Sequence, residues 1–204
     1  MKCVIVCGAD ILDYKKMASY VDAEDFVIYC DSGLKHMNSL GIKPSLIVGD
    51  FDSHENPNMS VETIVLPVEK DDTDSVYALK EGIKRGFEEF IFLGALGKRF
   101  DHSFVNVSSL LILDGLGKRG KILDDYCEME VVSNEAYVTE DYPYFSIMDI
   151  SGEAEDISIL NAKFPMNHQS ITGGYQYAVS NEVLPGEVAH IIVHSGRVLL
   201  IKDF

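Results

Sequence analysis

The chain has no run of 18 apolar residues, so no segment reads as a membrane-spanning helix. It also lacks a basic surplus. Against 33 Asp and Glu stand 17 Lys and Arg, a formal net charge of -16. A nucleic-acid-binding face needs clustered positive charge, so that class is set aside. A signal peptide is missing too: the apolar stretch at 3–7 is too short for an h-region, and Asp10 follows at once. The expected location is the cytoplasm. Only four cysteines occur, Cys3, Cys7, Cys30 and Cys127, and none has metal-ligand spacing. On a strand, Cys3 and Cys7 face the same way about 13 Å apart. That is beyond disulfide reach, and buried free thiols in a reducing compartment are expected. Three familiar motifs are absent as well: G-x-G-x-x-G, G-x-x-x-x-G-K-[ST] and G-x-S-x-G. A dinucleotide fingerprint, a P-loop and a hydrolase nucleophile elbow are thereby excluded.

The 204 residues that remain are 47% hydrophobic and 25% charged, enough to bury a real core. Strand and helix signals alternate over the first part. Strands are expected at 2–7, 26–30, 45–48, 61–66, 90–93 and 121–123. Helices are expected at 14–20, 32–40, 72–85 and 101–113, with Gly41 and Gly86 as stops. Repeated β-α-β units predict an α/β domain, a doubly wound and mostly parallel sheet with helices on both faces. From about residue 125 the helical period fades. Short strand-like runs appear at 130–132, 144–147, 157–160, 177–179, 190–194 and 197–201, the last two joined by a turn at Ser195-Gly196. They predict a smaller all-β sandwich. The expected domains are 1–124 and 125–204.

The chemistry concentrates at strand ends. Gly49-Asp50-Phe51-Asp52-Ser53 follows the apolar run Leu46-Ile47-Val48. Asp50 and Asp52, two apart in extended chain, face the same way, and Gly49 permits close backbone approach. Asp31 ends a second strand, Asp74 lies in a third such loop after Lys70-Asp71-Asp72-Thr73, and Asp101 lies in a fourth. Helix-dipole complementation is sufficient reason for Asp71 and Asp72. Asp74 is the better ligand candidate. Acids gathered where open α/β sheets bind ligands repel one another unless a cation sits among them. Mg²⁺, which takes hard oxygen ligands and shares them with phosphates, is the ion expected. Gly94-Ala95-Leu96-Gly97-Lys98-Arg99-Phe100-Asp101-His102 also follows a strand and opens a helix. Its small residues and helix N-terminus suit an anion, and the Arg99 fork and Lys70 suit phosphate oxygens. His102 is the only histidine placed at this site. His36, His54, His168, His190 and His194 are assigned ordinary surface or core roles.

This ordered set of motifs resembles the thiamine pyrophosphokinase family. The elements that carry it are Asp31-Ser32-Gly33, Gly49-Asp50-Phe51-Asp52-Ser53, Thr73-Asp74, the stretch from Gly94 to His102, and Val179-Ser180-Asn181-Glu182. They span nearly the whole chain. The resemblance implies a nucleotide domain followed by a β-sandwich, and a homodimer with sites where one subunit's nucleotide domain meets the other's sandwich. It implies transfer of diphosphate from ATP to the hydroxyl of thiamine, giving thiamine diphosphate and AMP. By the same resemblance Asp50, Asp52 and Asp74 hold Mg²⁺. Asp31, Lys70, Thr73, Arg99 and His102 line the nucleotide side, and Asp101 sits near the transferred group. Tyr177 takes the place of an aromatic residue stacked on thiamine, with Ser180 and Asn181 beside it. The chain departs from the family pattern at Lys98, where Gly is frequent, and at Tyr175-Gln176, where Leu-Lys is usual. Three other functions fit parts of the pattern: a Mg²⁺-dependent phosphohydrolase, a pyrophosphokinase of a related hydroxymethyl acceptor such as a pterin, and a non-catalytic thiamine- or nucleotide-binding regulator.

Overall fold

Apolar residues occupy every position of the first strands, as a sheet covered on its two faces requires. The computed structural model describes residues 1–51, 59–69 and 71–204. Asp52, Ser53, His54 and Lys70 lie outside the described residues. The chain folds into two units, Met1–Asp125 and Tyr126–Phe204.

The first unit is α/β. Its strands are β1 (Cys3–Val6), β2 (Phe26–Cys30), β3 (Leu46–Gly49), β4 (Glu62–Val65), β5 (Glu89–Leu93) and β6 (Arg119–Leu123). All pair in parallel, in the order β4-β3-β2-β1-β5-β6. The chain thus steps from β1 outwards to β4, then returns to the other side of β1 for β5 and β6. The order reverses at β1 and β5, which makes a topological switch point. Its helices are α1 (Tyr14–Ser19), α2 (Met37–Leu40), α3 (Asp74–Lys84) and α4 (Phe100–Gly115). The expected helix at 32–40 begins instead as a 3₁₀ turn, Asp31–His36, which runs into α2. Val4, Val6, Val27, Tyr29 and Leu93 pack with Met17, Leu34 and Leu40. Their strand neighbours Cys3, Ile5, Ile28, Phe90 and Phe92 are equally buried. Gly82 of α3 rests against Phe90, 2.7 Å from where a side-chain carbon would stand.

The second unit is antiparallel. Its strands are β7 (Cys127–Val132), β8 (Glu135–Val138), β9 (Phe145–Asp149), β10 (Glu153–Leu160), β11 (Met166–Thr172), β12 (Ala189–Ser195) and β13 (Val198–Asp203). β7-β13-β9 form one antiparallel set, and β11-β10-β12-β8 form a four-stranded sheet. Phe145, Ile147, Val198 and Leu200 of the first set share one core with Ile157, Ile159, Ile191 and Val193 of the second. The turn at Ser195-Gly196, with Gly196 at φ 82, therefore carries the chain from one set to the other. The strand expected at 177–179 is not formed. That stretch has no ladder of its own; Ile147 N–H donates to Ala178 O (2.9 Å) and Asn181 forms an isolated bridge with Phe145. Two strands, β8 and β11, are additional to those expected. All four cysteines are buried and free.

Candidate active site

A cavity of about 600 Å³ opens at the carboxyl ends of the parallel strands, over the switch point. Its lining comes from the segments after β1, β2, β3 and β5 and from the first turns of α3 and α4. Open α/β sheets bind their ligands in this position.

Three carboxylates meet here. Asp31 begins the 3₁₀ turn after β2, Asp50 follows β3, and Asp74 is the first residue of α3. Each contributes an oxygen, and these oxygens lie within 4.8 Å of one another. Asp31 is 1% exposed, while Asp50 and Asp74 are half-buried. Gly49 makes the approach possible: a Cβ there would stand 2.5 Å from Asp31 Cβ. Thr73 caps α3, accepting a weak hydrogen bond from Val76 N–H at 3.4 Å. That cap fixes Asp74 in the first turn, where the helix dipole favours a negative charge. The acids mark their surroundings electrically. The Cys30 thiol is held well above its ordinary range by its hydrogen bond with Cys7, by burial, and by the charges of Asp74 and Asp31. Hard, partly buried oxygens in this number suit Mg²⁺.

Lys35, Lys98, Arg99 and His102 border the cavity as well. Lys35 and Lys98 both pair with Asp10, at 3.1 and 3.5 Å. No side chain caps the N-terminus of α4, where Arg99 is the N-cap residue. Phe100 N–H at this end donates to Lys98 O (3.1 Å), and the Asp101 carboxylate accepts from the His102 N–H. The loop that leads there is held from below. Asn106 donates to Ala95 O (2.8 Å), Ser75 donates to Asn106 Oδ1 (2.7 Å), and Gly97 N–H donates to Ser103 Oγ (2.9 Å). The Arg99 fork grips Asp101 through Nε and Nη2, at 3.0 and 2.7 Å. This pairing drives the Asp101 pKa down to about 2. Asp101 is largely exposed and is not among the residues that border the cavity.

The structure thus brings Asp50, Thr73, Asp74, Arg99 and His102 to one cavity, with Asp31 buried beside Asp50 and Asp74. Lys98, the departure from the family pattern, borders it too. Gly8, Asp10 and Lys35 are further bordering residues that the sequence motifs do not single out. They follow β1 or β2, so their place in the cavity comes from the strand order. At Gly8 a Cβ would stand 2.0 Å from Ser32 Oγ, so the loops after β1 and β2 touch only because that side chain is absent. His36 is buried at 1% exposure. Its Nε2–H donates to Ala9 O (2.8 Å), and its Nδ1 accepts from the Tyr14 hydroxyl (2.9 Å). It props the cavity wall from behind.

The remaining residues of interest lie in the second unit. Tyr177 is 38% exposed, packs against Tyr175 at 5.1 Å between centroids, and donates to Ser170 O (3.1 Å). Ser180 has a left-handed backbone, φ 55, and its N–H donates to Ser146 Oγ (3.0 Å). Asn181 is 3% exposed; its amide joins Phe164 N and O at 2.9 and 2.8 Å, a structural engagement. Gln176 pairs with the Asp149 backbone, accepting at 2.9 Å and donating at 2.8 Å.

A parallel sheet with an acid-lined cavity at its switch point, followed by an antiparallel unit, defines a class of phosphate-handling enzymes. Comparison with known proteins narrows it. Residues 17–121 match the thiamin pyrophosphokinase catalytic domain, and residues 130–198 match the thiamin pyrophosphokinase vitamin B1 binding domain. The chain belongs to the thiamin pyrophosphokinase family, a family of enzymes. A curated relative, thiamine pyrophosphokinase of Bacillus subtilis (strain 168), is 27% identical over 191 residues, covering 88% of each chain. The crystal structure of the Bacillus subtilis enzyme superposes with a TM-score of 0.89 at 22% identity, over 100% of this chain and 99% of that one. The corresponding protein of Geobacillus thermodenitrificans gives 0.85 at 24% identity, over 100% and 98%. These two likenesses concern the fold. The phosphohydrolase, pterin and regulator readings are not favoured by the comparisons.

Proposed function

We propose that the protein transfers the terminal diphosphate of ATP to the hydroxyl of thiamine, releasing thiamine diphosphate and AMP. The observation that carries this reading is the convergence of Asp31 with Asp50 and Asp74, the last two bordering the cavity, within 4.8 Å in a chain of this family. Asp50 and Asp74, with Asp52 from outside the described residues, are the proposed Mg²⁺ ligands, and Asp31 stands beside them. When bound, Mg²⁺ supplies charge neutralisation on phosphate oxygens. The chain's own cations have a parallel task. Lys35, Lys98 and Arg99 draw the triphosphate inward and share the charge that develops on it. Lys70 is a further candidate for that role, while Thr73 and His102 border the nucleotide.

In the proposed step the thiamine hydroxyl oxygen bonds to the β-phosphorus, and the bond from that phosphorus to the AMP oxygen breaks in line. Phosphoryl-type transfers of this kind rest on positioning and electrostatics. A carboxylate with a pKa of about 2 is a poor proton acceptor near neutral pH. Asp101 is therefore assigned to orientation, jointly with Arg99. Tyr177, Ser180 and Asn181 are the proposed thiamine side, within a thiamine-binding domain at 125–204 that follows a nucleotide- and Mg²⁺-binding domain at 1–124. We further propose a doubly wound first domain, which the packing of alternate strand residues on different helices supports. A cytoplasmic homodimer completes the reading. Among the described residues no helix is long and apolar enough to cross a membrane.

Incubation with ATP, Mg²⁺ and thiamine tests the proposal. AMP and thiamine diphosphate are expected in equal amounts. Phosphate release that ignores thiamine would indicate a hydrolase, diphosphorylation of a pterin in its place would indicate the other acceptor, and binding without AMP would indicate a regulator.

A further inference from the structure

Far along the chain from the acid cluster, the second unit gathers a different set of donors. Asp156 on β10, His168 on β11 and His194 on β12 each offer a ligand atom, and these atoms lie within 4.8 Å of one another. The three strands are adjacent in the order β11-β10-β12. His168 Nδ1 is hydrogen-bonded to Asp156 Oδ1. The imidazoles of His168 and His194 stack with centroids 5.9 Å apart and planes 15° from parallel. His190, on the same strand as His194, is engaged elsewhere, stacked on Tyr137 and bonded to Glu135.

We propose that Asp156, His168 and His194 form a surface site for a borderline divalent transition-metal ion, Zn²⁺ first among them, with one position open to solvent.

The donor set selects the ion. Two imidazoles and one carboxylate suit Zn²⁺ and its neighbours and do not suit Mg²⁺. Asp31, Asp50 and Asp74, all oxygen, have the opposite preference. Ligand atoms around a tetrahedral Zn²⁺ lie about 3.4 Å apart, from bonds of about 2.1 Å. Side-chain rotation closes the difference, because all three residues stand at the surface. Binding of the ion replaces the hydrogen bond between His168 Nδ1 and Asp156 Oδ1.

The backbone explains how three neighbouring strands present these groups together. Regular alternation turns every second residue of a strand inward. In β10 the buried residues Ala154 and Ile157 are three apart, and in β11 Met166 and Ile171 are five apart. Each odd interval needs one extra residue. The ladder shows the matching register shifts. The extra residues are Asp156 and His168, with left-handed φ of 53 and 51. On β12 the alternation is regular: Ala189, Ile191 and Val193 point inward, and His194 is exposed. Two bulges thus bring an Asp and a His to the outward face beside His194.

Untagged full-length protein dialysed against Zn²⁺ in large excess of Mg²⁺ tests the site, since Mg²⁺ keeps the all-oxygen cluster out of competition. Wild type is expected to retain one more Zn²⁺ per chain than H168Q or H194Q, with affinity in either variant weaker by about 10-fold or more. D50N is expected to retain the wild-type amount. Circular dichroism checks that the variants fold, as substitution of exposed side chains predicts. Co²⁺ in place of Zn²⁺ is expected to give visible absorption from a low-coordinate nitrogen–oxygen site, lost in H194Q. Equal retention by wild type and both histidine variants, or none by wild type, overturns the proposal.

Discussion

Three carboxylates whose oxygens lie within 4.8 Å of one another repel in the absence of a cation. In the proposed function the arrangement serves a bound Mg²⁺. D50N removes one charge and keeps the shape. Its rate of AMP formation is expected to fall by about 10²-fold or more. Mg²⁺ is expected to raise the melting temperature of wild type more than that of D50N, which has lost a proposed ligand. Calorimetry with and without chelator checks this, and an equal rise in both would remove Asp50 from the proposed metal site. Asp101 illustrates the other sign of environment. Arg99 lowers its pKa to about 2. The folded value is depressed, so the pair's support is complete above the unfolded pKa of about 3.9 and disappears as pH falls through 2. NMR titration of the Asp101 carboxyl should give a midpoint near 2, and R99Q should return it to the ordinary range. An unchanged midpoint in R99Q would assign the shift to another group.

At the scale of elements, short polar bridges set the cavity walls. Tyr14 on α1, His36 in the 3₁₀ turn and Ala9 after β1 form one chain of hydrogen bonds. A carbonyl only accepts, so Nε2 carries a proton and donates it to Ala9 O. Burial pushes the His36 pKa down, against the hydrogen bond to Ala9. The unfolded chain takes up the proton first. Stability from His36 is therefore present above about pH 6.5 and declines as pH falls below it. The melting temperature of wild type should drop over that window, and H36Q should show a flatter profile with a loss of about 2 kcal/mol at pH 8. A parallel case binds β13 to β7. Burial would lower Lys202, yet bonds to Glu128 and Glu130, at 2.6 and 2.8 Å, raise it. K202M leaves Glu128 buried without that cation and should cost about 3–5 kcal/mol by urea denaturation, partly restored in E128Q/K202M.

The same scale shows what could be read from the chain alone. Strands β1, β2, β3 and β5 are apolar runs, and α3 has a cap, a first-turn acid and a stop glycine, so their periodicity and punctuation were legible. β11 was not: two inward residues five apart break the period of two, and its other side chains are polar. The 177–179 run has strand composition, yet it joins no ladder, and its Ala178 O accepts from Ile147 N–H. Asp50 and Asp74 could be picked out because each follows an apolar strand or opens a periodic helix. Lys35 and Asp10 could not, because their place in the cavity depends on the strand order, which no local pattern encodes. His36 looked ordinary for the same reason: its partners, Tyr14 and Ala9, are over twenty residues away.

The molecule as a whole carries a formal charge of -16, yet its proposed substrates have opposite signs. ATP is a polyanion, and thiamine bears a cationic thiazolium. The long-range field of an acidic protein opposes the first and attracts the second. Local cations at Lys35, Lys98 and Arg99 act over a few ångströms, whereas the overall field acts over a Debye length, about 10 Å at 0.1 M salt. Added salt should therefore weaken the two long-range effects while leaving contacts inside the cavity less changed. The KM for the Mg²⁺-nucleotide is expected to fall, and that for thiamine to rise, as ionic strength increases from about 0.02 to 0.2 M at constant free Mg²⁺. Steady-state kinetics with each substrate varied in turn measures both. If instead the nucleotide KM rises and the thiamine KM falls, the cations bordering the cavity govern approach in place of the net charge.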